Sequence, residues 1–354
     1  MPLDRSFESG DAQNREIKLF TIKNSKGTRM LVSNVGAAVL SIFVKDKLGS
    51  FGDVVLGYPE PEAYLDDAFY IGTVVGRYAN RIAGGKIKID NQEYQLSLKK
   101  EGYHHHGGVN GFNKKIFEAI PFKQHNENGI LFRYTSPHLE EGYPGTLELS
   151  IIYTLTETDE WSIEYKATTN APTIINLTQH SYFNLSGNPT AAVDAHEVQI
   201  NSQYYLPVNQ LQLPSGILEP VMDTPFDFTR LKKIGHDIGH PHEQLIISRG
   251  YDHSFVLDAI DGDTLKNAAI VKEKESGRRL DVFTTEPALH FYTGNFLNGL
   301  QGKEGKIYNQ RSGFCLETQH FPDSPNHPDF PTTILKPGEE FNSRTIFKFS
   351  VDDN

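Results

Sequence analysis

Histidine, carboxylate, arginine and asparagine side chains gather with glycine and aromatic residues at several separate places in this sequence. The first two are Gly76-Arg77-Tyr78-Ala79-Asn80-Arg81-Ile82 and His104-His105-His106-Gly107-Gly108. Next comes Asn176-Leu177-Thr178-Gln179-His180-Ser181-Tyr182-Phe183-Asn184-Leu185. Gly250-Tyr251-Asp252-His253, Phe291-Tyr292-Thr293-Gly294-Asn295 and Gly313-Phe314-Cys315-Leu316-Glu317-Thr318-Gln319 follow. Side chains of these types transfer protons, bind metals or hold polar ligands, at a density that a structural strand does not need. Spread this widely, they act together only if the fold brings them to one concave face.

Taken singly, each group has an ordinary reading. Arg77 and Arg81 are four residues apart and suit surface charges tied to Asp66 or Asp67. The run His104–His106 could hold a metal, because alternate residues of a strand share a face. Nothing near it completes a zinc spacing, so the expectation is no metal. His180 beside Ser181 suggests a hydrolase, yet the chain has no Gly-x-Ser-x-Gly elbow, and Ser181 would need its own base. Glu317 between Leu316 and Thr318 reads alone as a strand residue facing solvent.

In combination these segments resemble the aldose 1-epimerase (galactose mutarotase) family, in matching order and at similar spacing, from about Gly76 to Glu340. The Gly-Arg-x-Ala-Asn-Arg-Ile stretch, His106 before Gly-Gly, the stretch from Asn176 to Leu185, and Leu316-Glu317-Thr318-Gln319 followed by Phe321-Pro322-Asp323 carry the resemblance. It implies Glu317 as catalytic base and His180 as catalytic acid. His106, Asp252, Asn80 and Arg81 would hold sugar hydroxyls, with Ser181 and Tyr182 close to the acid. No cofactor is implied. Two positions depart from the family pattern: His105 replaces a more usual Leu, and His290 stands where many members have a sugar-binding Gln.

The implied reaction interconverts the α and β anomers of a free hexose such as galactose or glucose. One group takes the proton of the C1 hydroxyl while another protonates the ring oxygen. The C1–C2 bond then turns, and both transfers reverse onto the other face of the aldehyde. A carboxylate and an imidazolium are natural partners, each worth ~10²–10⁴-fold. The cycle is expected to start from an ionised Glu317 and a protonated His180. Tyr182 and Tyr251 suit the apolar face of a pyranose, or equally plain core packing. Two other readings of such a sandwich are a glycan-active hydrolase or lyase and a non-catalytic carbohydrate-binding protein. Most hydrolase families use two carboxylates, whereas the pair here is His plus Glu.

The elements that must position these groups read as short strands between turn signals. Runs 18–22, 38–44, 86–89, 147–155, 161–167, 197–200 and 346–349 are β-branched or alternate apolar and polar residues. Asp90-Asn91 reads as a tight hairpin turn. Short helices are expected only near 60–66 and 225–232, each with a Pro at or near its start. Glycines and prolines recur throughout, and neither repeat nor low-complexity tract interrupts them. The expected class is all-β, a large antiparallel β-sandwich with few short helices, in one domain over 1–354. The resemblance implies the galactose mutarotase-like form, a supersandwich.

Bulk properties set the remaining bounds. The 354 residues suffice for a large core, and 38% hydrophobic with 22% charged residues is ordinary globular composition. A formal net charge of -11 with no basic run argues against nucleic acid or an anionic membrane as partner. Cys315 is the only cysteine, so no disulfide forms within the chain. Residues 1–10 lack the apolar core of a signal peptide, and no segment offers the ~20 apolar residues of a membrane span. A cytoplasmic enzyme acting on a small aldose, as monomer or homodimer, is the expectation.

Overall fold

The computed structural model describes residues 16–124, 127–257 and 264–352. Residues 1–10, read above as too polar for a signal peptide, lie outside them.

Alternation of side chains translates directly into paired strands. Leu147–Leu155 pairs antiparallel with Glu160–Thr169, placing Ile151 opposite Tyr165 and Tyr153 opposite Ile163. Along both strands the apolar members face inward, because successive side chains of a strand point to opposite faces. These two strands lie within a nine-stranded sheet that also contains Phe341–Val351, Arg278–Thr284 and Lys266–Lys272. A five-stranded sheet runs in the order Glu219–Pro220, Ser202–Tyr205, Asp252–Leu257, Ala288–Tyr292, Cys315–Gln319. The main core lies between the two: Ile151, Trp161, Val282 and Phe347 of the larger sheet share one buried cluster with Phe255, Phe291 and Leu316 of the smaller. The hydroxyls of Thr318 and Thr345 meet across this layer at 2.6 Å. Burying an aromatic or leucine side chain there contributes roughly 1.5–3 kcal/mol. All named strand pairs are antiparallel, so the architecture is the expected large antiparallel β-sandwich.

Several local expectations hold. Lys86–Ile89 and Gln92–Gln95 form a hairpin with Ile89 opposite Gln92, leaving Asp90 and Asn91 as a two-residue turn with φ of 48° and 66°. Both positive values fit the turn whose twist matches its strands. The expected helix near 60–66 is a 3-10 turn, Pro61–Leu65.

The expected helix at 225–232 does not form. Phe226 and Phe228 are both buried, and this period-two burial pulls the segment into an extended path. Asp227 also turns back to accept from the Thr229 amide at 3.0 Å and its hydroxyl at 2.6 Å, capturing backbone that a helix would need. Short helices occur just beyond, at Ile234–Asp237 and Glu243–Ser248. Among the described residues no helix is long and apolar enough to cross a membrane.

Candidate active site

The smaller sheet presents one face to the core and the other to a cavity. Because Phe255, Phe291 and Leu316 are drawn into the core, their neighbours Ser254, His290 and Glu317 must point the other way. Register aligns those three in one row across adjacent strands, with Ser254 opposite His290 and His290 opposite Glu317. Asp252, Tyr292 and Cys315 form the next row.

His180 enters from a separate segment. Thr178–Gln179 pairs with Val74–Val75, and the His180 amide donates to the Thr73 carbonyl at 2.9 Å. Phe183 exchanges both backbone hydrogen bonds with Phe314, at 2.7 and 3.0 Å, which ties this segment to the strand carrying Glu317. His180 Nε2 comes within 3.6 Å of Glu317 Oε1. Tyr182 stacks on the His180 ring at 5.1 Å between centroids and donates its hydroxyl to the Phe69 carbonyl.

A third contribution comes from Arg81–Ala83 paired with Tyr103–His105. Asn80 and His106 are doubly tied. The His106 amide donates to the Asn80 carbonyl at 3.0 Å, and the Asn80 amide donates to His106 Nδ1 at 3.1 Å. With Nδ1 accepting, a neutral His106 carries its proton on Nε2 and offers a donor there. The chain then turns at Gly107, where a Cβ would stand 1.7 Å from the Gly76 carbonyl oxygen, so no other residue fits.

Together these groups line a cavity of about 180 Å³, room for several waters or one small polar molecule. Glu317, His180, Asn80, Arg81, His106, Tyr182, Asp252 and His290 all line it. Ser181 does not. Its amide donates to Gln179 Oε1, and its buried hydroxyl has no partner. Tyr251 is likewise a core residue, stacked on Phe291 with its hydroxyl donated to the Pro225 carbonyl. Tyr70, Phe69 and Phe296 add aromatic surface that the sequence reading did not single out. Nothing in their local sequence distinguishes them from core aromatics.

His290 is placed in the cavity but both ring nitrogens are engaged. Nε2 lies 2.7 Å from Asp252 Oδ1, and Nδ1 lies 2.8 Å from the Ser254 hydroxyl. Its contact is therefore with Asp252 first. Arg77, read as a surface charge, is instead buried. Its guanidinium donates to the carbonyls of Ser136, Pro144 and Gly145 at 2.9–3.1 Å. Asp67 takes the Tyr58 hydroxyl and the amides of Phe69 and Ile71 in place of any arginine. The sequence gives no sign of this, because burial of Arg77 depends on loops more than fifty residues away.

Glu317 is buried, contrary to the ordinary reading of it as a solvent-facing strand residue. Burial pushes its carboxyl well above the usual carboxylate range, and the nearby Asp252 charge adds to the rise, with Arg81 opposing. Burial also lowers His180, to about 4. Burial would raise Asp252 too, but the His290 hydrogen bond and the charges of His290 and Arg81 hold it below its ordinary value. Burial thus works against charge on both Glu317 and His180, while its partners hold Asp252 toward the anion. Burial therefore opposes both charges of the expected pair, an ionised Glu317 and a protonated His180.

His106, His180 and Glu317 also offer one potential ligand atom each, all within 4.8 Å of one another. Two imidazoles and a carboxylate are a metal-type donor set. A metal at His106 Nε2 would have to displace the proton that the Asn80 amide fixes there, so this arrangement favours hydrogen bonding over ligation. What the site offers is a buried carboxyl, a buried imidazole beside it, and donors and an acceptor spaced around one cavity.

The profile of the aldose 1-epimerase family matches residues 18–348. A human protein named galactose mutarotase is 44% identical over 325 residues, covering 91% of each chain. An Escherichia coli protein named aldose 1-epimerase is 37% identical over 337 residues, covering 95% of this chain and 96% of its own. Among solved structures, a galactose 1-epimerase from Lactobacillus acidophilus superposes with a TM-score of 0.85 at 29% identity, covering 98% of each chain.

Proposed function

The chain belongs to the aldose 1-epimerase family, and from that premise we propose how it turns over an aldose such as galactose or glucose. The protein is an aldose 1-epimerase, an isomerase; the roles of individual residues are the inference. Glu317 takes the proton of the C1 hydroxyl and His180 gives one to the ring oxygen. Both oxygens are bonded to C1, so an acid and a base a few ångströms apart can serve them together. That 3.6 Å separation of His180 Nε2 and Glu317 Oε1 is the observation that carries the reading.

The reactive form is an ionised Glu317 beside a protonated His180, a pair that holds one proton. Hydrogen-bond donors from a bound sugar favour the carboxylate, and expulsion of water strengthens each such contact. After C1–C2 rotation, Glu317 returns its proton and His180 recovers one. His106 Nε2–H, Asn80 and Arg81 donate to the remaining hydroxyls, and Asp252 accepts. His290 acts chiefly by orienting Asp252, and Tyr182 by stacking on His180. Ser181 supports the His180 segment from behind.

A hydrolase reading would ask for a second working carboxylate. Asp252 is the only other carboxylate lining the cavity among the described residues, and His290 and Gln212 both donate to it. One domain, no cofactor, a cytoplasmic setting and a monomer or homodimer complete the proposal. The test is polarimetry of freshly dissolved α-galactose. Faster decay to the equilibrium rotation with the protein present supports the reading, and an unchanged decay rejects it.

A further inference from the structure

The loop spanning 207–215 reaches the pocket from a stretch of chain that the functional reading leaves unused. It reverses tightly. The Asn209 amide donates to the Leu213 carbonyl at 2.9 Å and the Gln212 amide to the Asn209 carbonyl at 2.8 Å. Asn209 Oδ1 accepts from the amides of Leu211 and Leu213. Gln212 occupies the left-handed region with φ of 57°, a conformation that glycine or asparagine adopts more readily. A long side chain held at such a position suggests that the side chain itself is used.

Its amide lies between the two charged anchors of the pocket. Gln212 Oε1 accepts from Arg81 Nη2 at 2.5 Å, and Gln212 Nε2 donates to Asp252 Oδ2 at 3.1 Å. The carbonyl end meets the cation and the amino end meets the anion, so both contacts are charge-assisted. The loop is also fixed from behind. Gln244 accepts from the Val208 amide at 2.7 Å and donates to the Val208 carbonyl at 2.9 Å. His253 Nε2 reaches Gln244 Oε1 at 3.2 Å, while His253 Nδ1 accepts from the Asp252 amide at 3.1 Å. Hydrogen bonds through Gln244 and His253 therefore join the loop to the anchor strand.

We propose that Gln212 is a positioning residue that separates Arg81 from Asp252 and aims both at the distal hydroxyls of an aldohexose, thereby setting its affinity. The inference rests on the reading of Arg81 and Asp252 as sugar anchors. Without the intervening amide, a guanidinium and a carboxylate facing one another in a water-poor pocket attract strongly and close into a direct pair. Each would then satisfy the other instead of the sugar. With the amide in place, both are oriented while Arg81 Nε stays unpartnered and Asp252 keeps lone pairs free.

The test compares Gln212→Leu, which keeps bulk but loses both contacts, with Gln212→Gly, which also relieves the backbone. For each, KM and kcat for galactose are measured by polarimetry, Kd by calorimetry, and the thermal midpoint by calorimetric scanning. We expect KM and Kd to rise about tenfold in both, consistent with loss of hydrogen bonds to charged groups. The turnover should stay within about twofold, and both variants should remain folded at the assay temperature. KM within about twofold of wild type in both variants overturns the proposal, as does a loss confined to kcat. Arg81→Met and Asp252→Asn are measured alongside. If these raise KM while the Gln212 variants do not, only the positioning role fails; if they leave KM intact, the anchor reading fails and this inference with it.

Discussion

His180 Nε2 and Glu317 Oε1 stand 3.6 Å apart, with both side chains almost wholly out of solvent. On the other side of the ring, Cys315 Sγ lies 3.5 Å from His180 Nδ1. In that setting neither group titrates alone, and the pair is best treated as a unit that holds zero, one or two protons. Only the one-proton state contains both a base and an acid.

That count fixes the pH dependence. His180 is lowered to about 4, so the pair gains its second proton only below that value and loses its base there. Glu317 is raised well above the usual carboxylate range, so the pair surrenders its single proton only at higher pH and loses its acid there. The protein-dependent rate, corrected for the buffer's own catalysis, should therefore form a bell with its acid limb near about 4 and its alkaline limb well above ~4.3, the ordinary value for Glu. A rate that climbs without limit into alkali contradicts an acid role for His180.

Asp252→Asn tests the anchor and the electrostatics together. The Asp252 charge is one cause of the raised Glu317 carboxyl, so removing it lowers that group and moves the alkaline limb to lower pH. The same change weakens acceptance of a sugar hydroxyl, so KM should rise at least ~10-fold, with a smaller fall in kcat from misplacement of C1. An unshifted alkaline limb in polarimetric pH profiles would show that Asp252 and Glu317 are not coupled.

Arg77 predicts a stability effect without a catalytic one. Its guanidinium satisfies the carbonyls of Ser136, Pro144 and Gly145 inside the fold. Arg77→Met leaves these acceptors buried and unpaired, at a cost of about 3 kcal/mol or more. Arg77→Lys should rescue little, because a single ammonium cannot reach the same spread of acceptors. Urea unfolding measures both, and the folded fraction should keep near wild-type kcat. A midpoint unchanged in Arg77→Met contradicts this role.

Chelation probes the His106, His180 and Glu317 cluster. Since the Asn80 amide fixes the His106 proton on Nε2, mutarotation should survive exhaustive dialysis against a chelator. Loss of activity restored by a divalent ion would instead assign those residues as ligands.

The sequence made the strands legible wherever one face is buried and the other is not. Leu147–Leu155 and Lys86–Ile89 have the expected bounds because alternation and the Asp90-Asn91 turn act locally. Residues 225–232 misled because Pro225 resembles a helix start, while the alternate burial of Phe226 and Phe228 is decided by the sheets they pack against. The pocket residues were legible through their family resemblance, and Glu317, His180, His106 and Asp252 do converge on one cavity. Their neighbours were not. Gln212 and Tyr70 carry no local signal, Tyr251 went to the core, and Arg77 is buried by loops that the sequence does not place. The shifts in protonation were also hidden, since the desolvation that raises Glu317 and lowers His180 exists only in the assembled site.

The central claim is that Glu317 is the base, and Glu317→Gln tests it most directly. Glutamine keeps the shape and hydrogen-bonding capacity of the neutral side chain but cannot take a proton from the C1 hydroxyl. Polarimetry of fresh α-galactose should show kcat reduced by at least ~10², while calorimetry finds sugar affinity changed by no more than about threefold, because the other hydroxyls are held elsewhere. Near wild-type turnover in Glu317→Gln would contradict the account.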